Sequence, residues 1–123
     1  MAIPLDYLRD MQKELLHGSL DVMILKTLSW GRMHGHGIGR WIEQTSGDAF
    51  HLEEGSLYPA LYRLEARGMV DAEWGLSEKN RRAKYYRLTP RGRATLKAHT
   101  ALWTEFASAV ARVLGAVAGP ERA

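Results

Sequence analysis

The stretch EEGSLYPALYRLEARG constrains the chain most, because its leucines fall at helical spacing while the opposite face is neither aliphatic nor simply charged. At 100° per residue Leu57, Leu61 and Leu64 share one side, and Pro59, Tyr62, Arg63 and Ala66 point away from them, with Tyr58 on the shoulder. Ser56 is placed to cap this helix. That would put Pro59 at the third helical position, where its missing N–H has no intrahelical partner to lose, so the proline starts the helix rather than breaking it. Gly68 stops it. A helix with hydroxyls and a guanidinium on its outer face is suited to contact a polar surface.

The flanking segments decide which fold can hold such a helix. Leu5, Leu8, Met11 or Gln12, and Leu15 recur at helical spacing after Pro4, predicting a short amphipathic helix. Gly18 and Ser19 interrupt it, with Ser19 available to cap a second helix whose Leu20, Ile24, Leu25 and Leu28 form one stripe; whether the two run together stays open. RMHGHGIG reads as a glycine-rich turn leading into a helix with Ile38, Trp41, Ile42 and Thr45 on one face, so Trp41 is assigned to the core. After the outward-facing helix, Met69–Trp74 and Ala83–Thr89 read as strands joined by the polar tip GLSEKNRR. Thr89 followed by Pro90 announces a last helix, running to about Gly115–Gly119. Its Leu102, Phe106, Val110, Val113 and Val117 step by four, four, three and four, close to a heptad seam, and a seam needs a partner helix. The final AGPERA reads as a frayed tail.

Charge is distributed unevenly. Residues 79–97 carry eight cations and no anion, a local charge of +8, whereas the rest of the chain carries −5. A polyanion binder needs this local density of cations rather than a high total. The chain contains no cysteine, which excludes disulfides, thiolate metal sites and thiol catalysis. At 46% hydrophobic content and 123 residues it is sized for one domain with an appendage, and no apolar run approaches a membrane span. The first residues lack the pattern of a secretory signal, and a cytoplasmic location is expected.

Helix, helix, turn, helix, then a hairpin with a basic tip is the order of a winged helix-turn-helix, mainly α with a small β-hairpin and a long C-terminal helix. In that arrangement the second helix of the pair enters the DNA major groove, which makes double-stranded DNA the best candidate for the outer face of residues 56–67. The expected organisation is a DNA-binding unit over 1–89 and a dimerisation helix with tail over 90–123.

HGSLDVMILKTLSWGRMHGHGI, EEGSLYPALYRLEARGMV and NRRAKYYRLTPRG resemble, in order, the signatures of the PadR family of bacterial transcriptional regulators, in particular its short forms with a single C-terminal helix. The resemblance covers Leu16 to about Gly92. It implies a homodimer formed by the last helix with N-terminal helical segments, including Leu5 and Leu8, and repression relieved by a small molecule or stress signal. By position it also implies recognition-helix contacts from Ser56, Tyr58, Pro59, Tyr62 and Arg63, and wing contacts from Lys79, Asn80, Arg81, Arg82 and Lys84. The family turn is commonly HGYGI; here His36 takes the tyrosine position, and a contact from it would carry some pH dependence. Trp103, beside the seam, is the candidate for a planar or phenolic effector, as the resemblance implies.

Other chemistry is poorly supported. His34 and His36, with His17, His51 and His99 elsewhere, suggest a metal site only weakly, since neighbours in an extended segment diverge and no carboxylate cluster accompanies them. No nucleophile elbow or phosphate loop is present, so neither catalysis nor a cofactor is expected. A helix-mediated adaptor with a merely solvated hairpin is the competing reading; RNA is disfavoured because its deep, narrow major groove excludes a helix.

Overall fold

The computed structural model describes residues 2–121. Met1, Arg122 and Ala123, at the ends of the two expected units and of the AGPERA tail, lie outside the described residues. The element order is α1 (Leu5–Leu28), β1 (Met33–His34), α2 (Gly35–Thr45), α3 (Glu54–Ala66), β2 (Val70–Leu76), β3 (Arg82–Leu88) and α4 (Pro90–Leu114). This is the winged helix-turn-helix arrangement, with the long C-terminal helix in place.

Of the two alternatives left open at Gly18, the continuous helix is the one present. One helix runs through it, and Ser19 is a buried interior residue whose hydroxyl donates back to the carbonyls of Leu15 at 3.0 Å and Leu16 at 3.3 Å. A glycine inside a helix costs about 1 kcal/mol relative to alanine. That cost is outweighed beyond it, where Leu20, Ile24, Leu25 and Leu28 are essentially inaccessible and each contributes roughly 1.5–3 kcal/mol by burial. The core they form continues through Ile38 and Ile42 of α2, Leu57, Ala60, Leu61 and Leu64 of α3, and Val70, Tyr86 and Leu88 of the sheet. Trp41 is half-buried against it, as expected, whereas Thr45 ends α2 exposed.

The start of α3 also differs. The helix begins at Glu54 after Glu53, whose carbonyl accepts from the N–H groups of Ser56 and Leu57, both at 3.0 Å. Ser56 is therefore inside the first turn, not its cap, and Pro59 is an interior residue. Two carboxylates at the helix start are favoured by its positive dipole end, which carries the helix upstream of the serine. Pro59 leaves the carbonyl of Gly55 without its usual donor, a loss tolerated because Gly55 is exposed and water can reach it.

The glycine-rich segment supplies a third strand. Met33 and His34 pair with Tyr86 and Tyr85, giving an antiparallel sheet of order β1-β3-β2 rather than a two-stranded hairpin. Two residues are too few to show a period of two. The hairpin strands fall within two residues of expectation, with Val70 opposite Leu88 and Leu76 opposite Arg82.

Thr89 caps α4 as predicted, its hydroxyl accepting from the Gly92 N–H at 3.0 Å while donating to the Gly68 carbonyl at 2.7 Å. Helix α4 ends at Leu114, so Val117 lies beyond it and cannot continue the seam in helical register. Among the described residues no helix is long and apolar enough to cross a membrane.

At Gly92 any β-carbon would stand 2.0 Å from the Met69 carbonyl oxygen, which is backbone and cannot step aside. Gly92→Ala is expected to destabilise the fold by about 1–3 kcal/mol through overpacking, read as a drop of several degrees in thermal melting.

Candidate nucleic-acid interface

Burial of four α3 side chains fixes which of its residues remain outside. With Leu57, Ala60, Leu61 and Leu64 in the core, Ser56, Tyr58, Pro59 and Tyr62 are exposed, Tyr62 at 74% and Tyr58 at 42%. Tyr58 is positioned from the neighbouring helix. A β-carbon at Gly35, the first residue of α2, would lie 2.7 Å from its ring and 2.9 Å from its hydroxyl oxygen, so the absent side chain is what lets the tyrosine seat there. The start of α2 is held in turn by His34, whose Nδ1 accepts from the Gly37 N–H at 2.9 Å and whose ring meets Tyr85 edge-on at 5.5 Å. His36 is exposed next to it.

The two histidine rings do not diverge as an extended segment would have them. His34 is the cap and His36 is already helical, which brings their centroids to 6.3 Å. Among the described residues no group of three or more potential ligands could hold a metal ion.

At the wing, Asn80 adopts a left-handed conformation with φ of 59°. The turn closes through Ser77 N–H to the Arg81 carbonyl at 2.8 Å and Asn80 N–H to the Ser77 carbonyl at 2.9 Å. Lys79, Asn80, Arg81 and Arg82 are all exposed on this tip. The other two predicted cations are committed. Arg63 is half-buried and gives Nη2 to Asp21 of α1 at 2.8 Å; Lys84 gives Nζ to Glu65 of α3 at 3.0 Å. The hydrogen bond to Glu65 holds the Lys84 ammonium above its ordinary pKa, against a smaller opposing effect of burial. Burial likewise raises the Tyr86 phenol. Arg63 and Lys84 thus fasten α3 to α1 and to β3, and do not stand free toward solvent as the sequence suggested.

Asp21 and Glu65 escaped sequence reasoning because each lies far along the chain from its partner, 42 and 19 residues away, and carries no local pattern. Arg32 was missed for the same reason: it reaches Glu73 at 3.0 Å and lies over the Tyr85 ring at 4.4 Å. Trp74 and Arg82, whose guanidinium lies 4.5 Å from the indole, sit on facing strands, and the hairpin register would have revealed that pair.

Along α4 the predicted seam is uncovered. Leu102, Phe106, Val110 and Val113 of α4 are exposed, as are Leu5 and Leu8 of α1, while Trp103 is 45% accessible.

Comparison with known proteins gives this geometry its family. Residues 24–98 match the Transcriptional regulator PadR-like family. The fold is similar to that of a PadR family transcriptional regulator from Eggerthella lenta, with 27% identity, a TM-score of 0.75, and 89% of this chain and 94% of that one covered. A transcriptional regulator from Clostridium thermocellum is similar at 28% identity and a TM-score of 0.73, over 80% of this chain and 96% of that one. In sequence the chain is 41% identical over 59 residues to Transcriptional regulator Rv3488 of Mycobacterium tuberculosis, covering 47% of this chain and 54% of that protein. With the family match running from within α1 to the first turns of α4, over more than half of the sequence, the chain belongs to the PadR-like family of transcriptional regulators.

Proposed function

We propose that the protein is a cytoplasmic repressor that binds a pseudo-palindromic operator as a homodimer and releases it in response to a ligand or stress signal, with a small planar or phenolic compound as the candidate effector. Residues 1–89 act as the DNA-binding unit and 90–123 as the dimerisation helix and tail. One observation carries the reading. The exposed hydroxyls belong to α3 and the exposed cations to the wing tip, whereas exposed apolar side chains recur along α1 and α4, so that different elements offer groups suited to nucleic acid and to a second copy.

In this reading Tyr62, with Ser56, Tyr58 and Pro59, meets the major groove, His36 contributes a polar contact beside them, and the tip residues Lys79, Asn80, Arg81 and Arg82 meet the backbone. Arg63 and Lys84 serve mainly by holding the reading helix, since their donors already face carboxylates. Repression and the effector rest on the family resemblance, with Trp103 as the side chain offering a flat face and an indole N–H beside the strip.

Genomic fragments retained by the protein would supply the operator for three tests. Tyr62→Ala should cost about 1–3 kcal/mol at particular base pairs and relax discrimination there, read from a randomised operator library. Arg82→Ala should weaken all sequences together and lower the salt slope by about one per lost phosphate contact per protomer. Lys84→Ala should change that slope less and lower the melting temperature instead.

Val110→Glu with Val113→Glu should give a monomer or aggregate in sedimentation that no longer binds the palindrome; a double mutant that stays dimeric and binds would place the interface elsewhere. For the effector, a panel of planar cationic and phenolic compounds should include one that releases DNA from wild type and not from Trp103→Ala. Coupling of about 1–3 kcal/mol would shift DNA affinity by roughly five- to a hundredfold. Equal release from both proteins would remove Trp103 from the response.

A further inference from the structure

The cations around the wing differ in what holds them. Lys84 is held by Glu65 and Arg32 by Glu73, each through a donor that the carboxylate then occupies. Arg82 is held another way. Its guanidinium carbon lies over the Trp74 ring, 4.5 Å from the centroid, and among the described residues no side-chain hydrogen bond or ion pair uses its nitrogens. A guanidinium attracted to a ring face is restrained through its π surface, which leaves its five N–H donors for other acceptors.

Packing of the protomer does not account for the tryptophan. By strand alternation Trp74 shares a face of β2 with Val70 and Ala72, which reach the core, yet it stands past the edge of that core and is 59% exposed. Its cross-strand neighbour is Lys84, and Arg82 lies diagonally across from it opposite Leu76, at a distance long side chains span. An arginine near a hairpin tip would otherwise sample many rotamers, and a contact with phosphate would have to overcome that entropy.

We infer that Trp74 is a positioning residue for Arg82: its ring restrains the guanidinium in the free protein while leaving every donor available to phosphate oxygens. The inference rests on the reading of the wing as a DNA contact and adds a residue to it. The ring acts through the arginine, so its contribution vanishes when the arginine is absent.

A double-mutant cycle tests this with a mixed-sequence DNA duplex as probe, using wild type, Trp74→Ala, Trp74→Phe, Arg82→Ala and the Trp74→Ala, Arg82→Ala double mutant. Trp74→Ala is expected to weaken binding about two- to fivefold, the size of an exposed cation–π contact, with the melting temperature unchanged because the ring is outside the core. In the Arg82→Ala background the same substitution should have no effect. Trp74→Phe keeps a ring face and should fall between wild type and Trp74→Ala. Losses that add in the double mutant would overturn the inference by giving the ring a contact of its own, as would a Trp74→Ala protein that binds like wild type or a Trp74→Phe protein as weak as Trp74→Ala. An Arg82→Ala protein with wild-type affinity would remove the wing reading and this inference together.

Discussion

The carbonyl of Met69 is where the parts of the molecule are tied to one another. Helix α3 has just ended at Gly68, with φ of 73°, and β2 is about to begin. The Thr89 N–H donates to that carbonyl at 3.2 Å, its hydroxyl donates to the carbonyl before it, and the first turn of α4 sits close enough that only glycine fits at position 92. Recognition helix, wing and C-terminal helix therefore meet at backbone atoms, which have no rotamers to absorb a displacement. Backbone contacts of this kind fix the start of α4 relative to the end of α3 and the start of β2.

Two ion pairs complete this frame from the other side. Asp21 holds Arg63 and Glu65 holds Lys84, so α3 is fastened to α1 and to β3 at positions that are half-buried. Pairs of this kind contribute modestly to stability, but they have geometric consequences. They also place two anions beside a surface whose neighbouring residues are strongly cationic, reducing the uniform positive field that would favour any polyanion equally. At the wing tip, by contrast, Lys79, Arg81 and Arg82 take part in no ion pair among the described residues.

Much of this was legible from the chain, and the misses share a cause. Thr89-Pro90 specified its helix start because cap and proline act within one turn, and the leucines of α3 specified the buried face because period alone determines it. Ser19 left two alternatives open, and Ser56 misled. Each is a good cap, but in one case burial of Leu20 and Ile24 outweighed the local alternative, and in the other two glutamates upstream offered an earlier start. The strand at Met33 has no pattern of its own and exists because Tyr85 and Tyr86 provide an edge for it. Partners of Arg63 and Lys84 were invisible because contacts across tens of residues leave no trace in spacing. The exposed face of α3 was readable, while the division of the neighbouring cations between ion pairs and solvent was not.

Helix α1 joins two environments along a single axis. Its residues from Leu16 onward supply much of the core, while those from Leu5 to Leu15 are all exposed, and Gly18, with no neighbouring side chain within reach of a β-carbon there, stands close to the change. Amides within one helix then span nearly the whole range of protection open to the protomer: those before the glycine open by fraying at little cost, and those after it exchange only when the domain unfolds. Covering the bare half would bring both under one cooperative transition, so the length of α1 that behaves as a folded element is set by what lies against it rather than by its own sequence.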